Sequence, residues 1–142
     1  MDLSLGQLRH AQNRVYGCRT LFVKGDVTES PLPDGSFDKV VVSHAIHEMP
    51  RVLRQRTLEE ANRVLKPSGE VIVLELDNPP NFLLRIFMAF WFFYWLPGNV
   101  ETPTRRDMMR CGLSAEVMHA GFVDVEKHSV CRGVFQTVIG TK

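Results

Sequence analysis

Aliphatic residues along the chain fall into two kinds of spacing: short runs typical of strands, and three-to-four-residue periods typical of helices. The strand-like runs cover residues 20–24, 39–43, 70–76, 123–128 and 134–139. The helical periods cover residues 4–16, 50–65, 82–96 and 104–120. Their order predicts an α/β domain with helices packed on a sheet, and a terminal antiparallel hairpin that turns near residues 132–133.

Two of these segments carry predictions about burial. Residues 39–43 include three consecutive valines, a pattern typical of a strand buried on both faces. The helix at 50–65 is expected to turn one apolar face toward the sheet. That face consists of Val52, Leu53, Leu58, Ala61, Val64 and Leu65.

Composition places the chain among ordinary globular domains. It has 142 residues, 44% hydrophobic and 23% charged, with a formal net charge of +1. We therefore expect one domain over residues 1–142 and no nucleic-acid partner, because no basic stripe is available to neutralise phosphates. Cys18, Cys111 and Cys131 show neither disulfide-framework nor metal-ligand spacing. Reduced thiols and an N-terminus without a secretory signal favour a cytoplasmic protein without a structural metal.

Five short motifs follow one another along the chain. Residues 25–27 are Gly-Asp-Val, and the loop at 32–38 is Leu-Pro-Asp-Gly-Ser-Phe-Asp. The valine run ending at Ser43, the Leu-Lys-Pro-Ser-Gly-Glu turn at 65–70 and the Ala-Gly-Phe at 120–122 come next. Each motif alone is weak, but the ordered set resembles the class I S-adenosylmethionine-dependent methyltransferases. It is most similar to their small-molecule group, which includes the ubiquinone and menaquinone C-methyltransferases.

The resemblance implies a Rossmann-like sheet with a C-terminal antiparallel hairpin, lacking the family's first strand and glycine-rich loop. In that family the first strand is central, so without it the strand at 20–24 is separated from the strand at 39–43. Three alternatives are open: a partial domain from a longer gene product, direct pairing of the two strands, or a strand supplied by another chain. We favour the partial domain.

The resemblance also implies S-adenosylmethionine as the cofactor and assigns residues to it. The segment Asp2-Leu3 matches the family's ribose-binding position, where a carboxylate accepts hydrogen bonds from two hydroxyls. Asp26 matches the acid that accepts from the adenine amino group, and Val27 the residue whose backbone N–H meets the adenine ring. The alternatives are a solvated terminal acid for Asp2 and a turn-forming side chain for Asp26.

Ser43 and His44 come directly after a predicted strand, at the end where open α/β sheets bind ligands. We assign Ser43 to the methionine end of the cofactor and group His44 with it. His47 is the candidate catalytic base, because imidazole titrates near neutral pH and can remove a proton during methyl transfer. Alternatively, His44 and Glu48 meet the substrate, and any single histidine here caps or packs a helix instead.

Residues 82–96 form the most apolar segment of the chain. As a helix this segment extends about 22 Å, too short for a hydrocarbon core of about 30 Å. In the family this position holds an insertion that covers the substrate, so we interpret it as a lid or wall over an aromatic or lipophilic acceptor. A core helix, a homodimer interface and docking on a membrane surface are the alternatives.

Two functions are therefore open at the level of sequence. The first is methyl transfer from S-adenosylmethionine to a small aromatic or lipophilic acceptor. The second is a non-catalytic remnant of a methyltransferase that acts as an interaction or dimerisation module. Cofactor binding distinguishes the two.

Overall fold

In the computed structural model, residues 1–15, 19–78, 80–95 and 103–142 are described. The helices are α1 Leu5–Gln12, α2 Arg51–Val64, α3 Phe82–Trp95, α4 Pro103–Cys111 and α5 Leu113–His119. The strands are β1 Phe37–Ser43, β2 Leu65–Leu76, β3 Val123–Val130 and β4 Phe135–Thr141. Short 3-10 turns occupy Ile46–Glu48 and Cys131–Gly133. Predictions about residues 16–18 and about residue 96 lie outside the described residues.

The described strands form one sheet in the order β1-β2-β4-β3. β1 and β2 run parallel, with Val40 opposite Val71 and Val42 opposite Val73. β4 is antiparallel to both of its neighbours, β2 and β3. A parallel pair followed by an antiparallel terminal hairpin confirms the predicted fold class.

The hydrophobic core lies between one face of the sheet and helices α2, α4 and α5. Val71 of β2 and Val138 of β4 are fully buried on that face, together with Leu58 of α2 and Val117 of α5. Gly140 permits the close approach of α5, since a Cβ at this position would lie 2.9 Å from Val117 Cγ1. The core therefore fixes β2 and β4 against these three helices.

The prediction that β1 is buried on both faces is wrong. Val40 and Val42 pack against the core, whereas Val41 is 64% exposed. Successive side chains of a strand point to opposite faces, and the core cluster lies against only the face of Val40 and Val42.

The predicted strand at residues 20–24 is also wrong. Within this segment only Lys24 makes a β-bridge, a parallel one to Asp2. Asp2 N–H donates to Val23 O at 3.1 Å, and Gly25 N–H donates to Asp2 O at 3.2 Å. A strand needs a ladder of such bonds along its length, and the described residues supply only this one bridge. Direct pairing of this segment with β1 is not observed, because β1 pairs with β2 alone in the described sheet.

The predicted helices form but differ in extent. α1 begins after Ser4, whose Oγ accepts Gln7 N–H at 3.3 Å, and ends at Gln12. The single helix predicted at 104–120 is two helices, α4 and α5, interrupted at Gly112 with a φ of 81°. A positive φ cannot continue a right-handed helix, and glycine adopts it without a steric penalty.

The inward face of α2 differs from the predicted one. Val52 and Leu53 are exposed, and Arg54 is fully buried instead. The Arg54 guanidinium donates to both carboxylate oxygens of Glu116 on α5 and to Asp107 Oδ2 on α4, with N–O distances of 2.6 to 3.2 Å. A buried charge is tolerated only with such partners, so this ion cluster joins three helices.

The same cluster is the one point where several metal-ligand types meet among the described residues. Ligand atoms of Asp107, Cys111 and Glu116 lie within 4.8 Å of one another. Both carboxylates are already paired with Arg54, which supplies positive charge at that point. Cys111 and Cys131 are free thiols, and Cys18 lies outside the described ranges. We therefore assign this cluster a structural role.

Hydrogen bonds to Glu60 of α2 join the loop that carries Asp26 to this helix. Glu60 Oε1 accepts hydrogen bonds from the N–H and the hydroxyl of Ser30, at 2.8 and 2.6 Å. Arg63 donates to both oxygens of the same carboxylate. The hydrogen bonds from Arg63, with those from Ser30, lower the pKa of Glu60 to about 2 from a usual value of 4.5.

Acid is therefore expected to weaken this attachment. Because the folded pKa of Glu60 lies below its unfolded value, its stabilisation is complete above about pH 4.5 and is lost as the pH falls toward 2. Glu60→Gln should unfold at a lower temperature than the unchanged chain near neutral pH, and the difference should shrink in acid. Thermal unfolding as a function of pH measures this. Glu59→Gln, at an exposed neighbouring position, is the control, and a difference independent of pH contradicts the assignment.

Candidate active site

The carboxyl ends of β1 and β2 lie side by side, because the two strands are parallel and adjacent. Ser43 ends β1 and is exposed. His44 follows with a φ of 51°, a conformation that is uncommon outside glycine, and its N–H donates to Leu74 O at 2.9 Å. The His44 ring packs edge-on against Phe135 of β4, with centroids 5.3 Å apart. The predicted ligand-binding end of the sheet therefore includes the beginning of β4.

His47 lies in the 3-10 turn after β1 and contacts a buried carboxylate. Its Nδ1 is 2.7 Å from Oε2 of Glu75, a residue near the end of β2 that is fully buried. The other oxygen of Glu75 accepts the backbone N–H of Ile46 at 2.8 Å. The turn and the strand end are thus joined by one carboxylate, which fixes the position of the imidazole.

This contact determines which nitrogen of His47 is available for chemistry. A carboxylate accepts hydrogen bonds, so in the neutral ring the Nδ1 that faces Glu75 carries the hydrogen and Nε2 is the proton acceptor. The side chain of His47 is 18% exposed, and Nε2 lies 3.8 Å from Oε1 of the exposed Glu48. The geometry is that of a histidine base oriented by a buried acid.

Glu75 was not among the residues singled out from the sequence. The feature of the sequence that indicates a role for Glu75 is its place as an acid inside the aliphatic strand β2. It lies two residues beyond Val73 and four beyond Val71. Side chains in a strand alternate between faces, so this spacing puts Glu75 on the same buried face as the two valines. A buried acid requires a partner, and a search for one would have led to His47.

Asp2 is placed next to the loop that contains Asp26. The backbone of Asp2 bonds to Val23 and Gly25, so the two acids assigned to the cofactor lie on adjacent segments. Asp2 Oδ1 accepts the N–H of Ser4 at 2.7 Å. This arrangement is compatible with both roles considered for Asp2, as a helix-start acid and as a ligand for hydroxyl groups.

Asp26 forms a turn, as expected from the alternative to cofactor binding, a turn-forming side chain. Its Oδ1 accepts the N–H and the hydroxyl of Thr28, both at 2.8 Å. The backbone hydrogen bond from Thr28, followed by the hydroxyl bond, holds the pKa of the Asp26 carboxyl below its usual value. Among the described residues, no hydrogen bond involves Asp26 Oδ2 or the N–H of Val27. The turn therefore leaves one acceptor and one donor available side by side.

The predicted site residues form two groups. Asp2, Asp26 and Val27 lie around the Asp2–Lys24 bridge, and Leu3 follows with its side chain 65% exposed. Ser43, His44 and His47 lie at the ends of β1 and β2. In the described part of the chain no hydrogen bond or ion pair joins the two groups. Their roles as cofactor-binding and catalytic residues stay predictions.

A groove of about 580 Å³ lies between α2 and α5, on the side of the helices. Arg51, Arg56 and His119 contribute to its lining together with Glu59 and Glu116. None of the residues assigned to cofactor or catalysis lines it. This groove is therefore not part of the candidate active site.

A family model described as a methyltransferase domain matches residues 1–73, which include Asp2, Asp26, Ser43 and His47. The chain belongs to this methyltransferase family. An uncharacterised methyltransferase from Synechocystis is 33% identical over 121 residues, covering 82% of this chain and 53% of that protein. A ubiquinone/menaquinone biosynthesis C-methyltransferase from Geobacter is 29% identical over 156 residues, covering 99% of this chain and 63% of that protein.

Solved structures extend the match from sequence to fold. A SAM-dependent methyltransferase from Thermotoga maritima superimposes with a TM-score of 0.70 at 24% identity, covering 99% of this chain and 70% of that one. The resemblance to class I S-adenosylmethionine-dependent methyltransferases is thus confirmed, and the family implies S-adenosylmethionine as its cofactor. The methyltransferase chain spans 53% and 63% of the lengths of the two curated relatives.

Proposed function

We propose that this methyltransferase domain transfers a methyl group from S-adenosylmethionine to a small aromatic or lipophilic acceptor, with His47 as the base. The observation that carries the proposal is the 2.7 Å contact between His47 Nδ1 and the buried Glu75 carboxylate, at the carboxyl ends of two parallel strands. Ligands of open α/β sheets bind at this end. We place the reaction in the cytoplasm, in keeping with the free thiols.

The residues present fit the cofactor. Asp26 Oδ2 and the N–H of Val27 offer an acceptor and a donor for the adenine edge, and Asp2 offers a carboxylate for the ribose hydroxyls. Ser43 and His44 would contact the methionine end. The bound cofactor supplies an activated methyl group on a sulfonium, so the protein needs chiefly to hold and orient the reactants.

His47 acts on the acceptor. Its Nε2 removes a proton from the acceptor group as that group is methylated, and the imidazole becomes an imidazolium. Glu75 stabilises the positive charge from the Nδ1 side and keeps Nε2 directed outward. The buried position of Glu75 strengthens this interaction, because little solvent screens the pair.

Cofactor binding is the direct test of the proposal. We expect calorimetry to detect binding of S-adenosylhomocysteine, and Asp26→Asn to weaken it by roughly tenfold, because one charged hydrogen bond is lost. Glu29→Gln is the matched control, since Glu29 is an exposed acid in the same loop. Equal affinities of the Asp26 and Glu29 variants would contradict the assignment of Asp26.

The second candidate is a non-catalytic interaction module. The observation in its favour is the edge of β1, which has a strand neighbour on only one side in the described sheet and exposes Val41. Unpaired strand edges and exposed apolar residues favour pairing with another chain, including a second copy. A chain that gives no heat with S-adenosylhomocysteine and elutes as a dimer would favour this function over methyl transfer.

A further inference from the structure

α3 presents a continuous apolar surface to solvent. Five of its side chains, those of Phe82, Leu83, Ile86, Phe87 and Phe90, are between 51% and 74% exposed. At about 100° per residue these positions fall within an arc of roughly 140° on one side of the helix. Exposed apolar patches of this kind mark interaction surfaces.

The chemistry of this surface distinguishes a lipid partner from a protein partner. Protein interfaces contain roughly one hydrogen bond per 100–200 Å², and the five exposed side chains offer no donor or acceptor. α3 contains no Asp or Glu, and Arg85 is exposed beside the apolar arc. A helix with an apolar face and a cation next to it is complementary to the boundary between acyl chains and anionic headgroups.

The length and composition of α3 indicate how it meets the bilayer. Its 14 residues extend about 21 Å, less than the hydrocarbon core of about 30 Å. No helix in the described part of the chain has the length and apolarity needed to cross a membrane. Five of the 14 residues of α3 are phenylalanines, whose large apolar side chains offer much area for burial at the membrane boundary.

We propose that α3 docks on the surface of an anionic lipid membrane, with Phe82, Leu83, Ile86, Phe87 and Phe90 in the headgroup and acyl boundary and Arg85 at the phosphates. The helix lies in the plane of the membrane. Residues 77–81 alone separate it from the end of β2, so it begins within about 20 Å of the strand that carries Glu75. If the proposed methyl transfer holds, this proximity presents the site to acceptors dissolved in the bilayer.

Flotation with lipid vesicles tests the docking directly. Vesicles of phosphatidylcholine with phosphatidylglycerol are expected to carry the chain upward in a flotation gradient. The triple variant Phe82→Ser, Leu83→Ser, Ile86→Ser should lower the partition coefficient by roughly a hundredfold, since three apolar side chains leave the boundary.

Two further variants separate the apolar and electrostatic contributions. Arg85→Gln should weaken partitioning into the anionic vesicles by about fivefold and leave partitioning into pure phosphatidylcholine unchanged. Leu21→Ser with Val52→Ser removes two apolar side chains that are 91% and 64% exposed but lie outside α3, and should change neither. Circular dichroism of each variant checks that the fold is retained.

The proposal is overturned if the chain does not float with either vesicle. It is also overturned if the triple variant abolishes a dimer seen by light scattering without vesicles, because α3 would then bind a second copy. Neither measurement requires cofactor or turnover. Failure of membrane docking and failure of methyl transfer are therefore distinguishable.

Discussion

Substitution of His47 by glutamine is expected to lower the rate of methyl transfer at saturating cofactor by about 10²–10⁴-fold, the contribution typical of a positioned general base. Affinity for S-adenosylhomocysteine should change little, because Nε2 is assigned to the acceptor. Single-turnover transfer of labelled methyl to a panel of phenols and quinols measures the rate. His128→Gln is the matched control, since His128 also contacts a carboxylate, that of Glu126 at 3.2 Å, but on the exposed surface.

Glu75 is a positioning residue, and comparison of the rate with cofactor affinity distinguishes that role from a structural one. In Glu75→Gln the imidazolium loses its counter-charge, so the rate of methyl transfer should fall while affinity for S-adenosylhomocysteine changes little. A purely structural role lowers the rate and the affinity together. If His47→Gln transfers methyl at the rate of the unchanged chain, the roles assigned to His47 and to Glu75 are both wrong.

Loss of the Arg54 guanidinium is expected to be the largest effect on stability. Arg54→Met should reduce the free energy of unfolding by about 3–5 kcal/mol, because Glu116, which is 6% exposed, keeps a buried charge without a counter-ion. Urea unfolding measures the loss. Arg56→Met is the control on the same helix, where the side chain is exposed and a change below about 0.5 kcal/mol is expected.

A second substitution tests the cause of that loss. Adding Glu116→Leu to Arg54→Met removes the uncompensated charge and should restore a large part of the stability, since apolar residues of similar volume often replace a buried ion pair at little cost. If the double variant is less stable than Arg54→Met, the loss arises from packing, and the electrostatic explanation fails.

Strong local signals made the strands of the sheet predictable. The aliphatic runs at 39–43 and 70–76 and the alternating tail became β1, β2 and the hairpin of β3 and β4, with bounds that moved by a few residues. The break at Gly112 was missed because the apolar period continues across it. A helix interruption of this kind depends on one backbone angle, which the pattern of side chains does not report.

The other errors in the fold share one cause, dependence on neighbours distant in sequence. Residues 20–24 have strand-like composition but only the bridge at Lys24, and the three valines of β1 are covered on one face. β-propensity describes how well a residue fits a half-buried sheet and does not identify its neighbours. The same limit applies to α2, where Val52 and Leu53 fit the helical period and Arg54 is buried because α4 and α5 supply acids.

At the candidate site, individual residues were easier to predict than their partners. His47 followed from a titratable side chain just after a strand, whereas Glu75 lies 28 positions away along the chain. Asp26 was predicted with two roles, and the hydrogen bonds from Thr28 show that it forms the turn while Oδ2 stays available. A single carboxylate can fulfil both roles because it has two oxygens.

The ion cluster of Arg54, Asp107 and Glu116 also contacts the segment that carries the His47 imidazole. Besides its two acids, Arg54 donates through Nη1 to the carbonyl of Met49 at 3.0 Å, and Met49 directly follows the turn that carries His47. An apolar replacement of the cluster can restore folding but leaves this carbonyl without its donor. Selection for catalytic rate would therefore retain the charges of this cluster, whereas selection for thermostability alone would replace them. A more stable variant of this domain need not have a higher rate of methyl transfer.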